Sequence, residues 1–121
     1  MKLTKFILKS FKSFIFNLFT MTELILTEKP SSAEKIAKAL ADKEPKKITD
    51  KGVAYYTLTH NKKEIIVSCA VGHLYTVGEK DKKAWTYPIF NIEWTASYSK
   101  NKASAFTKKY LDKIKELAKK A

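Results

Sequence analysis

Three side chains in this sequence are of types that handle protons and phosphate. Glu28 and Lys29 follow directly on Glu23–Thr27, a short apolar, β-rich run that reads as a strand. In open α/β sheets the carboxyl end of a strand is where ligands bind. Pro30 fixes the turn, and Ser31 with Glu34 has the S-x-x-E spacing of a capping box, so a helix is expected over about 32–41. The start of such a helix, with Ser31 and Ser32, would aim backbone N–H groups at the same spot. A carboxylate placed there can move a proton or hold Mg²⁺. Taken alone, Glu28 and Lys29 read first as solvated charges, because strand ends often carry charge. His73 is the third candidate. It follows Gly72, which permits close backbone approach, at the exit of the apolar run Glu64–Ala70. It could contact phosphate or a base, or be structural.

The other reactive types are weaker candidates. His60 falls in a predicted turn and reads as a surface residue. Cys69 lies inside an apolar run, where a cysteine usually serves as a small core residue. It is the one cysteine, which excludes an internal disulfide and a cysteine-rich zinc site and suits a reducing, cytoplasmic compartment. Trp85, Tyr87, Phe90 and Trp94 have faces that can stack on unpaired bases, but packing is the ordinary use of such rings.

The elements that must position these groups can be read along the chain. Val53–Thr59 and Glu64–Ala70 are β-branched and aromatic, and His60–Lys63 between them makes a hairpin turn. Lys43–Lys51 reads as a polar linker and Gly78–Lys83 as a charged loop, with an extended segment near Ile89–Ser97. Phe106, Tyr110, Ile114 and Leu117 recur at spacings of four, four and three, so the last element is an amphipathic helix. Its opposite face would carry Lys108, Lys109, Lys113, Lys115, Lys119 and Lys120. A strand–helix start predicts a parallel α/β sheet. The final helix ends the sequence without the strand it would deliver. The expectation is an incomplete sheet, in a chain either truncated or completed by a partner.

The 121 residues amount to one domain at most, and 45% hydrophobic content is enough for a core. Twenty-four basic residues oppose twelve acidic ones for a net charge of +12. All the basic residues are lysines. Polyanionic partners are favoured, through salt-sensitive phosphate contacts, while base readout by arginine forks is excluded. The same bias would follow from an AT-rich genome. Residues 1–20 differ from the rest. Lys2, Lys5, Lys9 and Lys12 oppose an apolar stripe of Leu3, Ile7, Phe11, Phe14 and Leu18. Three readings stand: a start placed upstream of the true one at Met21, an amphipathic helix for a membrane or a partner, or a signal peptide.

Three stretches, in order, resemble the Toprim domain of type IA DNA topoisomerases, in its archaeal and topoisomerase III branch. Leu24-Ile25-Leu26-Thr27-Glu28-Lys29-Pro30-Ser31-Ser32-Ala33 is similar to the domain's opening. Cys69-Ala70-Val71-Gly72-His73-Leu74 is similar to its Gly-His-Leu motif. Trp85-Thr86-Tyr87-Pro88-Ile89-Phe90-Asn91-Ile92-Glu93-Trp94 resembles the segment that follows. The resemblance implies an incomplete Toprim, Rossmann-like fold over 21–121, with a β-hairpin and its final strand or strands missing, after a basic extension over 1–20. It implies Glu28 as acid/base and Mg²⁺ ligand, Lys29 against the scissile phosphate and His73 lining the site. Ser31, Ser32, Lys108 and Lys109 would touch DNA. The family cuts one strand by tyrosine attack on phosphorus, passes another strand, and reseals. The family's Asp-x-Asp pair is not in this sequence. None of Tyr55, Tyr56, Tyr75, Tyr87, Tyr98 and Tyr110 matches the nucleophile's motif, nor is there its companion arginine. The expected partners are DNA and the remaining topoisomerase polypeptide, in cis or in trans. By itself the chain is expected neither to hold Mg²⁺ tightly nor to cut DNA. The alternative is a stand-alone basic DNA-binding module. Primases and related nucleases share the glutamate strand, but the second and third stretches argue against them.

Overall fold

β1 (Glu23–Thr27) forms where the sequence is apolar and β-rich, and it lies at the edge of a four-stranded sheet of order β1-β4-β3-β2. The computed structural model describes residues 21–81, 84–85 and 87–121. The extension over 1–20, with its basic helical stripe, lies outside the described residues, as do Lys82, Lys83 and Thr86. The chain is α/β as expected, but the sheet is mixed. Among the described residues only β1 and β4 (Lys63–Cys69) run parallel. β3 (Val53–His60) is antiparallel to β4, and β2 (Lys46–Asp50) is antiparallel to β3. A second, two-stranded ribbon pairs β5 (Tyr75–Glu79) with β6 (Ile92–Ala96).

The predicted hairpin is present, with Asn61 and Lys62 at its tip, both at positive φ. That pair of angles is the pattern of a two-residue type I′ turn. His60 is more than a surface residue. Its Nδ1–H donates to the Leu40 carbonyl (2.7 Å) and its Nε2 accepts from Asn61 Nδ2 (3.1 Å), tying the hairpin to the preceding helix. Two stretches read as loops are strands. The supposed linker Lys43–Lys51 contains β2, joined to β3 through Lys51 and Gly52, again both at positive φ. Gly78 and Glu79, taken as loop, end β5. Hydrogen bonding to a neighbour outweighs composition at such edges, where lysines can stay in water.

Helix α1 (Pro30–Leu40) begins earlier than the capping-box reading placed it. Pro30 occupies the first turn, where its missing N–H is no loss. Lys29 is the N-cap, no side chain caps the helix, and Ser31 sits within it. Ala33 and Ala37 bury against Tyr56, Leu58, Ile65, Val67 and Cys69, with Ile25, Ile36 and Leu40 at the margin. Each large apolar side chain buried here contributes about 1.5–3 kcal/mol. Ile66 and Ser68 alternate with that set and are buried too, so β4 is covered on both faces.

A four-residue helix α2 (Ser97–Lys100) and a 3₁₀ turn lead into α3 (Thr107–Lys120), which packs on β3 and β4. α3 buries Thr107, Leu111 and Leu117, while Phe106 is its exposed N-cap. The expected stripe of Phe106, Tyr110, Ile114 and Leu117 is thus rotated toward Leu111. Lys113, expected on the solvent face, is only 3% exposed. Its ammonium donates to Asp50 Oδ2 and to Glu116 Oε2 (2.6 Å). This bridge fastens α3 to the edge strand β2.

The bridge gives stability a pH signature. The Lys113 hydrogen bond holds Asp50 and Glu116 below their ordinary values of 3.8 and 4.5. Hydrogen bonds from Lys113, first to Asp50 and then to Glu116, hold its ammonium well above the usual 10.5. Depressed carboxylates stabilise above their ordinary values, and that contribution is lost as pH falls through the folded ones. A raised lysine stabilises below 10.5 and the contribution is lost as pH climbs past it. Urea midpoints are expected to decline below about pH 4 and above about pH 10 relative to a plateau between. Lys113→Met should lower the plateau and flatten the acid decline. An acid decline of unchanged steepness in the variant would show that other groups cause it.

Candidate active-site corner

Parallel pairing of β1 with β4 decides where the candidate residues meet. Thr27 is opposite Cys69, and the Ala70 N–H continues the ladder by donating to the Thr27 carbonyl (2.8 Å). The two carboxyl ends therefore lie side by side. Glu28 and Lys29 leave one strand, and Ala70 to His73 leave its neighbour. The sequence offers these as separate stretches; the sheet brings them to one corner. Glu28, Lys29 and His73 are all exposed there, open to a ligand from solvent.

Local hydrogen bonds shape the turn that carries Glu28. Thr27 Oγ1 lies 3.0 Å from the Lys29 carbonyl and 3.2 Å from the Ser68 carbonyl, so one hydroxyl bridges the turn and the neighbouring strand. Thr27 was not singled out from sequence, although the residue before the acid is the natural place for such a brace. The helix start offers an anion less than expected. Pro30 has no N–H, and the Ser32 and Ala33 N–H groups both donate to the Lys29 carbonyl (3.1 Å each). Ser31 is exposed and Ser32 half-buried on that first turn.

The start of α3 reaches the same corner. Gly72 has φ +78°, and a Cβ there would lie 3.3 Å from Phe106 Cζ and 3.7 Å from Thr107 Cγ2. Phe106 is therefore the floor under the Gly72-His73 turn, a role its place in the apolar stripe did not reveal. Lys108 and Lys109 follow in the first turn of α3. The Lys108 ammonium lies 5.7 Å from the centre of the Tyr98 ring. That of Lys109 lies 5.2 Å from the Tyr110 ring and 3.4 Å from the Gly52 carbonyl. Both are exposed and held by neutral groups, so neither charge is consumed by a carboxylate. The β2–β3 turn with Lys51 stands at this end too, because β3 is antiparallel to β4.

The fit to Mg²⁺ is incomplete. Among the described residues no three of His, Cys, Asp and Glu come together to hold a metal ion. Glu28 supplies one exposed carboxylate, whereas Mg²⁺ is usually held by one or two carboxylates together with substrate phosphates. Cys69 is buried in the core, as expected, and burial pushes its thiol pKa up, away from the reactive thiolate.

The aromatic segment departs from the packing expectation. Trp85, Tyr87, Phe90 and Trp94 are all exposed. No helix among the described residues is long and apolar enough to cross a membrane.

No family model matches the chain. Curated relatives do. A protein of Methanocaldococcus jannaschii named DNA topoisomerase 1 is 46% identical over 102 residues, covering 84% of this chain and 13% of that protein. One of the same name from Pyrococcus horikoshii is 42% identical over 96 residues, 79% of this chain and 14% of its own length. A third, from Methanothermobacter thermautotrophicus, is 35% identical over 98 residues, 81% of this chain and 13% of that protein. The chain therefore spans only about an eighth of the length of these relatives.

Proposed function

We propose that this chain, a sequence relative of the archaeal proteins named DNA topoisomerase 1, supplies the phosphate-handling corner of a type IA DNA topoisomerase. The observation that carries the reading is the β1–β4 register, which pairs Thr27 with Cys69, so the segments bearing Glu28-Lys29 and Gly72-His73 leave the same end of the sheet. In it the fold is the N-terminal part of a Toprim domain. β1, an edge strand among the described residues, would receive the strand that bears Asp-x-Asp.

The roles follow from side-chain chemistry. Glu28 holds or accepts a proton beside the scissile phosphate. Lys29 balances phosphate charge as a point cation. His73, on its Phe106-supported turn, donates a hydrogen bond to a phosphate oxygen. Glu28, together with an acidic pair supplied from elsewhere in such a protein, would hold Mg²⁺, whose charge would supply stabilisation at the phosphate. The nucleophilic tyrosine also comes from outside it. A cytoplasmic setting goes with this reading. The net charge of +12 favours a second reading, a binding module that grips DNA through lysines without cutting.

Supercoiled plasmid separates the two. Alone, the chain is expected to bind DNA with an affinity that drops steeply with salt, without relaxing it. Mixed with a polypeptide carrying the rest of the M. jannaschii relative, and with Mg²⁺, it should relax the plasmid. Salt-sensitive binding with no relaxation in the mixture leaves the binding module. Relaxation by the chain alone would sink both.

A further inference from the structure

One face of the β5–β6 ribbon is apolar and left uncovered by the other described residues. Register places Tyr75, Val77 and Glu79 opposite Ala96, Trp94 and Ile92 on that face. Tyr75 is 46% exposed, Val77 45%, Ile92 58% and Trp94 73%. The reverse face is different: Gly78 is overlaid by the Lys100 side chain, whose Cε would lie 2.7 Å from an added Cβ. Contiguous exposure of four large apolar side chains across two strands marks an interaction surface. The ribbon starts two residues after His73, so this surface adjoins the candidate corner.

We infer that this face is where the rest of the topoisomerase polypeptide docks onto the chain. The inference rests on the topoisomerase reading above. The curated relatives are several times longer than the matched span, so most of such a protein lies outside this sequence. The face itself argues against the other occupants. It carries Glu79 and no lysine, so a nucleic-acid backbone would meet a carboxylate and no cation there. Tyr75 and Trp94 have rings that can stack on bases, but Val77 and Ile92 beside them have none, and stacking alone leaves the backbone charge unmet. A second copy would bring another +12 of charge against the first.

The experiment measures binding of the full 121-residue chain to a polypeptide carrying the M. jannaschii relative without its matched 102 residues. Trp94→Lys and the pair Val77→Lys/Ile92→Lys are expected to weaken that binding at least tenfold. Trp94→Ala, a gentler change, should weaken it less, and Glu93→Lys on the reverse face should leave it unchanged. Urea midpoints of the free chains check that each variant is folded. Binding that the face variants leave intact overturns the proposal, as does the absence of binding. So does loss of self-association, vesicle binding or oligo(dT) binding in those variants without loss of partner binding. Tight, face-dependent binding without plasmid relaxation would refute the catalytic reading and leave the docking surface standing. Relaxation that survives the face variants would do the reverse.

Discussion

Replacing Glu28 by Gln is expected to lower plasmid relaxation by the chain and its complementing polypeptide about 10²–10⁴-fold, the span of a lost general acid/base. Plasmid affinity should stay near that of the unaltered chain. Glutamine keeps the shape of the side chain and removes its charge and its exchangeable carboxyl proton. Glu28 is exposed at the end of β1, outside the buried core, so the fold has no reason to respond. Lys29→Met is the contrast. It should weaken DNA binding and reduce the salt slope by about one phosphate contact, without a comparable effect on the chemical step. If Glu28→Gln relaxes plasmid at the full rate, the acid is an ordinary solvated charge and the catalytic assignment fails. If it loses affinity and rate together, Glu28 organises binding instead of proton transfer.

The difference between those outcomes depends on a juxtaposition that no spacing in the sequence displays. Glu28 and His73 are 45 residues apart. For their segments to leave the same end of the sheet, β4, reached through α1, β2 and β3, must return parallel to β1. Strands with continuous apolar runs announced themselves, and Glu23–Thr27 and the 53–70 hairpin were legible for that reason. β2 was not. Lys46-Lys47-Ile48-Thr49-Asp50 has one large apolar residue, and its strand character comes from pairing with β3. The signal that was available is Lys51-Gly52, since a glycine at the tip of a two-residue turn marks a hairpin.

Lys113 shows a second kind of opacity. On a helical wheel it belongs with the other lysines of α3. It is buried because Asp50, 63 residues away, arrives on an edge strand to meet it, with Glu116 one turn along. A charge can leave water only when partners replace the water. Those partners are visible only once β2 is known to be a strand. The exposed aromatics mislead in the opposite way. Ring-rich sequence predicts a core, yet Trp94 and Ile92 face outward because the β5–β6 ribbon has helix α2 against it and only one side to share. Apolar content says that burial is sought, not which chain supplies it.

Gly72→Val is expected to be the most damaging single change for the corner that leaves the candidate acid, lysine and histidine in place. Gly72 has φ +78°, where a β-branched residue is an outlier and where even alanine costs about 1–2 kcal/mol. The new Cβ would also press on Phe106 Cζ at 3.3 Å. Phe106 is 48% exposed and can swing aside, so the backbone angle, not the contact, dominates the loss. A comparison separates the two. Gly52 has a similar φ of +75°, but its added Cβ would meet only the flexible end of Lys109. Gly52→Ala and Gly72→Ala should therefore lower the urea midpoint by similar amounts. Phe106→Ala should rescue little of the Gly72→Ala loss. Activity parts them: Gly72→Ala moves His73 and should cut relaxation in the complemented protein, while Gly52→Ala should not. Full rescue by Phe106→Ala would mean that the ring contact, and not the left-handed turn, is what holds His73 at the end of β4.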